Sequence, residues 1–160
     1  MAYYRNRTKK RKNNYTAYET ALYLLNYRVQ SEKELTRKLK EREYSDEDIA
    51  AAMEKLKHYQ YVDDASMAED LFESYRRKGL YGDIYIHQKM KLKGLSIDRH
   101  ISVEEETEWA ISLLTKKGQI TPKLLEDYGR AAAFLSRRGF SRSAISAALH
   151  EFDFSTVYED

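Results

Sequence analysis

The stretch that decides the fold is SRRGFS, residues 136–141, because its pattern occurs twice more upstream. Residues 91–96 read KLKGLS and residues 40–45 read KEREYS, so each copy has basic residues, then Gly or Glu, a large apolar residue and Ser. Glycine here suits the left-handed end of a helix, and serine suits the N-cap of the next one. The pattern predicts a helix, a tight turn and a second helix in each copy.

The apolar residues around these serines share one register. Six residues before the three serines stand Leu39, Met90 and Leu135. Ten residues before them stand Leu35, Ile86 and Ala131. Downstream, Ile49 and Ile145 follow the first and third serines at helical spacing, whereas His100 occupies that place in the middle copy. We therefore expect a displaced or shorter last helix in the middle group.

Together with helix-capping signals, this spacing predicts an all-α chain of nine helices and no strand. The predicted helices cover residues 16–28, 31–42, 45–59, 64–78, 82–93, 96–102, 104–117, 122–138 and 141–152, with Pro122 in the first turn of the eighth. They form three tandem three-helix repeats, expected to stack as an elongated, curved array of helices crossing near right angles. The predicted domains are a basic disordered tail at 1–14, repeats at 15–62, 63–103 and 104–153, and a C-terminal tail at 154–160.

Composition excludes several classes of protein. Among 160 residues there is no cysteine and one proline, so a disulfide scaffold, a thiolate zinc site and a turn-rich all-β chain are excluded. No apolar run approaches the roughly 18 residues that a membrane span needs, and no apolar segment follows the basic N-terminus as in a secretory signal. The expected location is the cytoplasm, without membrane contact.

The N-terminus differs in charge from the rest of the chain. The first twelve residues contain six basic side chains and no acid, whereas the whole chain carries only +2. Such a segment can bind a polyanion by counterion release, with Tyr3, Tyr4 and Tyr15 available for base stacking, or it can serve only as a solubilising tail. The nucleic-acid-binding candidates are Arg5, Arg7, Lys9, Lys10, Arg11 and Lys12.

No pattern in the sequence indicates catalysis or a bound cofactor, so we predict a protein that is not an enzyme. Asp83 and His87 share a helix face but lack a third ligand, and we therefore predict no metal site. The glycines occur singly rather than in a phosphate-binding loop. The run of acids at Glu104, Glu105, Glu106 and Glu108 is typical of a solvated helix start.

Three segments in order resemble the RecX regulatory proteins. The middle one carries YVDDASMA at 61–68, then Arg76, KG at 78–79, Gly82, Ile86 and KGL at 93–95. The first carries SEKEL at 31–35, and the last carries RRGFS at 137–141. The resemblance covers about residues 17–152; Glu43 departs from it where the first turn is expected to have glycine, and the basic tail lies outside it.

This resemblance implies a fold of three tandem three-helix repeats and a regulatory function. It implies that the protein binds in the groove of the RecA recombinase filament, inhibits ATP hydrolysis and strand exchange, and so modulates recombination and DNA repair in the SOS response. It implies no cofactor and no catalysis.

Basic residues on the second helices are the candidates for partner binding, with an ordinary solvated helix face as the alternative explanation of each. They are Arg37, Lys40, Arg42, Lys89, Lys93, Arg137, Arg138 and Arg142. Two other functions stay open: direct binding of single- or double-stranded DNA through the tail, and a helical-repeat adaptor for an unrelated partner. We expect a monomer.

Overall fold

The computed structural model describes residues 14–152 and residue 154. These residues form eight α-helices and one short 3-10 helix without any β-strand, which confirms the all-helical prediction for the described part of the chain. The elements are α1 (Ala17–Tyr27), α2 (Glu32–Glu41), α3 (Asp46–His58), α4 (Asp64–Lys78), α5 (Asp83–Leu92), α6 (Val103–Ile120), the 3-10 helix (Pro122–Leu124), α7 (Tyr128–Arg137) and α8 (Arg142–His150). None of these helices is long and apolar enough to cross a bilayer.

Hydroxyl side chains set the starts of the helices. The side chains of Ser31 and Thr16 each accept a hydrogen bond from the third backbone N–H of the following helix. The glutamate at that third position accepts a hydrogen bond from the backbone N–H of the cap residue. Ser45 and Ser141 accept the same backbone bond at α3 and α8. The predicted starts at Ser31, Ser45 and Ser141 are therefore confirmed.

The three turns predicted from the recurring pattern have one geometry. The second residue after each helix is left-handed, with φ of 65° at Glu43 and 75° at Gly94 and Gly139. In each turn its N–H donates to the carbonyl three residues earlier, and the next N–H donates to the carbonyl five residues earlier. This is the Schellman arrangement, which pairs carbonyls that a helix end would otherwise leave without donors.

The chain divides between Asp63 and Asp64 into two compact units. In the first unit, α1, α2 and α3 enclose an apolar core; in the second, α4 and α5 enclose one cluster and α6, α7 and α8 another. Trp109 on α6 packs against both clusters of the second unit. The largest fully buried apolar side chains are Leu35, Leu39 and Leu56 in the first unit, and Phe72, Ile86, Met90, Leu114, Leu135 and Leu149 in the second. The predicted repeat boundaries stay predictions.

Two helix predictions need correction. Residues 96–102 contain no helix, so Ser96 caps nothing, and Ser102 instead caps α6. The physical reason is that polar His100 replaces the apolar residue that would anchor such a helix. The helix predicted over 122–138 is also interrupted: Pro122 begins the 3-10 helix, and Asp127 caps a separate α7.

In the second unit, the α4–α5 turn meets the α7–α8 turn through their backbones. Gly82 N–H donates to the Arg138 carbonyl at 2.9 Å, and Ile84 N–H donates to the Gly139 carbonyl at 3.2 Å. A Cβ on Gly82 would lie 2.3 Å from the Gly139 oxygen, and a Cβ on Gly139 would lie 2.4 Å from the Tyr85 nitrogen. Neither glycine can be replaced without moving backbone atoms.

Glu106 connects the same two turns from α6. Its side chain is buried, and Oε1 accepts hydrogen bonds from the N–H of Asp83 at 2.8 Å and of Ser141 at 3.3 Å. The carboxylate thus lies at the N-termini of α5 and α8, where the helix dipoles favour negative charge. The prediction that all four acids of this run are solvated is wrong at Glu106.

Candidate partner-binding surface

The predicted basic residues of the first unit lie on or just after α2, and two of them have acidic partners. Arg37 pairs with Glu41, and Lys40 Nζ lies 3.4 Å from Asp46 Oδ1. Arg42 Nη1 donates to the Lys38 carbonyl at 2.8 Å. All three are exposed, but the acids beside Arg37 and Lys40 reduce the positive charge that this face presents.

The second unit brings two predicted residues, Lys89 and Arg138, onto one row of aromatic rings. Tyr81 and Tyr85 stack with centroids 4.0 Å apart and planes 10° from parallel. Lys89 Nζ lies 5.1 Å from the Tyr85 centroid, and the Arg138 guanidinium lies 5.3 Å from the Tyr81 centroid. We call these four residues the cation–tyrosine row. Tyrosine and arginine are the side chains enriched at protein interfaces, because they add contact area and polar groups together.

Packing and hydrogen bonds hold the row in place. Tyr75 meets Tyr81 and Tyr85 edge to face, with centroids 6.1 and 6.2 Å away. Burial, followed by the neighbouring phenols, raises the pKa of Tyr75, so its hydroxyl stays neutral. Arg138 Nη1 donates to the Leu80 carbonyl at 3.1 Å, and its guanidinium lies 4.8 Å from the Phe134 centroid. Arg138 therefore has a structural role as well as a position on the surface.

A second concentration of positive charge surrounds Arg137. This exposed residue lines a groove of about 490 Å³ together with Lys123 and Arg130, and no acid within the described residues pairs with any of the three. Asp127 also lines the groove, but its carboxylate accepts the Arg130 backbone N–H at 2.9 Å. We call Lys123, Arg130 and Arg137 the basic groove; it can accept carboxylate or phosphate groups. Sequence reasoning missed Lys123 and Arg130, whose only signal was positive charge near Arg137.

The remaining predicted residues do not join either feature. Arg142 is the exposed first residue of α8, and Lys93 is half-buried at the end of α5. The tail candidates Arg5, Arg7, Lys9, Lys10, Arg11 and Lys12 lie outside the described residues.

One cluster has the residue types of a metal site. Asp83, His87 and His100 each place a potential ligand atom within 4.8 Å of the others. His100 Nδ1 lies 2.7 Å from Asp83 Oδ2, and this hydrogen bond raises the pKa of His100. His100 is therefore the third potential ligand, which the sequence did not reveal. The incorrect prediction of a helix over 96–102 gave no reason to expect His100 beside the start of α5.

Comparisons with known proteins agree with this architecture over most of the chain. A family model for the first three-helix domain of RecX matches residues 17–56. A regulatory protein RecX from Stenotrophomonas maltophilia is 35% identical over 146 residues, covering 88% of this chain and 89% of the relative. The chain belongs to the RecX family of regulatory proteins. A regulatory protein RecX from Vibrio vulnificus is 32% identical, and the match covers 83% of this chain and 90% of the relative.

Other RecX proteins match in fold or over part of their length. The chain spans about half the length of the Bacillus relatives. The match with the Bacillus pumilus protein, at 31% identity, covers 54% of that protein. The crystal structure of RecX from Lactobacillus salivarius has a TM-score of 0.71 at 20% identity, covering 84% of this chain and 93% of that one, which shows a shared fold. A second crystal structure, of a regulatory protein RecX, has a TM-score of 0.72 at 25% identity, covering 81% and 69%.

Proposed function

We propose that this protein binds the RecA recombinase filament in the cytoplasm and inhibits its ATP hydrolysis and strand exchange, without catalysis of its own. The observation that carries the proposal is membership of the RecX family across 88% of the chain. Relatives across this family are named regulatory proteins, which favours action through a partner.

The cation–tyrosine row gives this proposal a contact surface. Its two cations lie over the two stacked rings, so a partner would meet positive charge and apolar area in one patch. The rings are already fixed by Tyr75 and by the α7–α8 turn, and a fixed surface loses little side-chain entropy on binding. Acidic side chains beside apolar ones on a recombinase subunit would complement it.

The basic groove supplies a second set of contacts. Lys123, Arg130 and Arg137 form no ion pair within the described residues, and Asp127 is the one acid in the groove lining. The groove therefore keeps a net positive charge for carboxylates of the filament. Linked weak contacts raise overall avidity without requiring one strong contact. The row and the groove would act together in this way.

Co-sedimentation with RecA filaments on single-stranded DNA tests the proposal. We expect wild-type protein to pellet with filaments far more than with bare DNA, and Lys89→Ala to weaken this about fivefold, the loss typical of an interface residue worth about 1 kcal/mol. Lys116→Ala is the control, since it removes one exposed positive charge that belongs to neither the row nor the basic groove. Equal pelleting with filaments and with bare DNA would contradict the proposal.

Direct nucleic-acid binding through the tail is a second candidate, favoured by the six basic residues in the first twelve. Each phosphate neutralised on a single strand contributes about −0.7 to the slope of log affinity against log salt. If all six charges engage, deleting residues 1–12 should flatten that slope by about 4. Identical affinity and slope for the truncated and full-length proteins would exclude the tail as a DNA-binding segment.

A further inference from the structure

Asp83, His87 and His100 converge at the start of α5, on the side where residues 96–102 pass the helix. His100 Nδ1 lies 2.7 Å from Asp83 Oδ2, and His87 Nε2 lies 3.4 Å from Asp83 Oδ1. The two imidazole rings stack, with centroids 4.5 Å apart. His100 Nδ1 thus hydrogen-bonds the carboxylate from the segment that follows α5, and His87 Nε2 lies beside it from within the helix.

The separations match what a small divalent ion needs. Zinc bonds to imidazole nitrogen and carboxylate oxygen are about 2.0–2.2 Å long, so neighbouring ligand atoms in a tetrahedral site lie about 3.3 Å apart. The ligand atoms of the cluster all lie within 4.8 Å of one another. The two carboxylate–imidazole distances are 2.7 Å, from Asp83 Oδ2 to His100, and 3.4 Å, from Asp83 Oδ1 to His87. An ion would enter after small side-chain rotations and would replace the proton between His100 and Asp83. The proton that His87 Nε2 donates to the Arg99 carbonyl would also have to leave this nitrogen, either to solvent or by a change of tautomer to Nδ1.

The surroundings fix the ligands as an outer sphere does in known metal sites. Asp83 Oδ1 accepts a hydrogen bond from Ile101 N–H at 2.8 Å, and Asp83 N–H donates to buried Glu106. His87 Nε2 donates a hydrogen bond to the Arg99 carbonyl oxygen at 2.9 Å, which orients the imidazole ring beside Asp83. The side chains of Asp83 and His87 are 18% and 27% exposed, whereas that of His100 is 67% exposed, which leaves an entry path from solvent.

We propose that Asp83, His87 and His100 form a binding site for a divalent transition metal, with Zn²⁺ the best match. Imidazole ligands favour zinc, nickel and cobalt over magnesium and calcium, which prefer oxygen. The bound ion would connect residues 96–102 to α5. In the other two copies of the turn pattern, a packed helix follows the turn directly and makes such a link unnecessary. Its role is structural and independent of the proposed recombinase partner.

Isothermal titration of the metal-free full-length protein with Zn²⁺ tests the site. We expect one saturable site, a Tm that rises with zinc and returns with chelator, and no competition from Mg²⁺. His100→Asn should weaken binding at least tenfold. The matched control is His58→Asn, which removes an exposed histidine from α3 of the other unit. Absence of saturable binding, or equal weakening by the two variants, would overturn the proposal.

Cobalt gives a second measurement on the unmodified protein, which does not depend on whether a variant folds. Co²⁺ bound by nitrogen and oxygen ligands in a site of four or five ligands should produce visible d–d absorption, and stoichiometric Zn²⁺ should remove it. Asp83→Asn keeps an oxygen that can accept from Ile101 N–H but removes the charge, so the absorption should fall at least tenfold at equal cobalt. A spectrum unchanged from hexaaqua cobalt in the wild type would overturn the site.

Discussion

The turn after α5 and the turn after α7 begin alike and continue differently. Gly94 and Gly139 both have φ of 75°, and both turns have the same pair of backbone hydrogen bonds. After Gly139, Ser141 caps α8; after Gly94, no helix follows until Ser102 caps α6. The sequence of a turn thus determines where a helix ends, whereas the residues beyond the turn determine whether a second helix follows directly.

Those later residues differ in chemistry. Beyond Ser141, Ala144, Ala148 and Leu149 are buried, so α8 is held by apolar packing. Beyond Gly94, Leu95 and Ile101 are buried at the two ends of a segment without a helix. Between them, polar side-chain contacts hold the chain: Arg99 reaches Glu69 at 2.7 Å and Glu73 at 2.5 Å. The hydrogen bond from Arg99 lowers the pKa of Glu73, as expected for a carboxylate beside a fixed cation.

The largest expected effect separates the two glycines. In Gly139→Ala, left-handed strain adds to a collision with the Tyr85 backbone, and we expect a loss of about 3 kcal/mol in unfolding free energy. In Gly94→Ala, only the strain of about 1–2 kcal/mol applies. Urea unfolding of both variants measures the difference, and equal losses would show that the contact between the two turns contributes nothing.

Glu106→Ala should have the next largest effect, because it removes the acceptor shared by the two turns of the second unit. The change leaves the part-buried N–H groups of Asp83 and Ser141 without that partner, and we expect a loss of about 2 kcal/mol in unfolding free energy. Glu108→Ala is the control on the same helix, since its side chain is exposed. Thermal unfolding of the two variants checks this, and similar Tm values would contradict the role of Glu106.

Arg99→Ala should have a smaller effect on global stability, because its ion pairs are exposed and screened by salt. The effect should be local: the Ile101 amide should exchange hydrogen faster, whereas amides within α8 should be unchanged. Hydrogen exchange followed by mass spectrometry compares the two segments. Equal acceleration in both would mean that the polar contacts do not hold residues 96–102 separately.

Glu43→Gly should have the smallest effect, a gain. Glu43 has φ of 65° in the first turn, and glycine would relieve this strain at some cost in chain entropy, leaving a net gain of about 0.5 kcal/mol. Glu43→Ala keeps the strain and serves as the control. Chemical denaturation should place the midpoint of Glu43→Gly above that of Glu43→Ala; the reverse order would contradict the assignment.

The features predicted from sequence are those determined by neighbouring residues. Ser31, Ser45 and Ser141 cap helices because a hydroxyl bonds an amide three residues away, and Gly139 ends a helix through local backbone geometry. Such short-range interactions leave a readable pattern. The helix predicted after Ser96 was wrong because His100 and Glu104 stand four and eight residues beyond it, where the other two copies have apolar residues.

The candidate sites depend on residues far apart in the chain, which is why the sequence did not reveal them. Tyr81 meets Arg138, and Asp83 meets His100, only after the helices pack. Glu106 looked like its exposed neighbours because its burial depends on where α5 and α8 begin. Charge identified Arg137 as a candidate, but the groove that it shares with Lys123 and Arg130 required the fold.

The central claim is that this RecX-family protein restrains the recombinase through protein contacts, and RecA ATP hydrolysis on single-stranded DNA tests it most directly. If each of the two compact helical units contacts its own filament subunit, one molecule restrains more than one subunit. We predict that the hydrolysis rate falls as protein is added and reaches its minimum below one molecule per RecA subunit. The Lys116→Ala variant should lower the rate as much as the wild type does. An unchanged rate at saturating protein would contradict the claim.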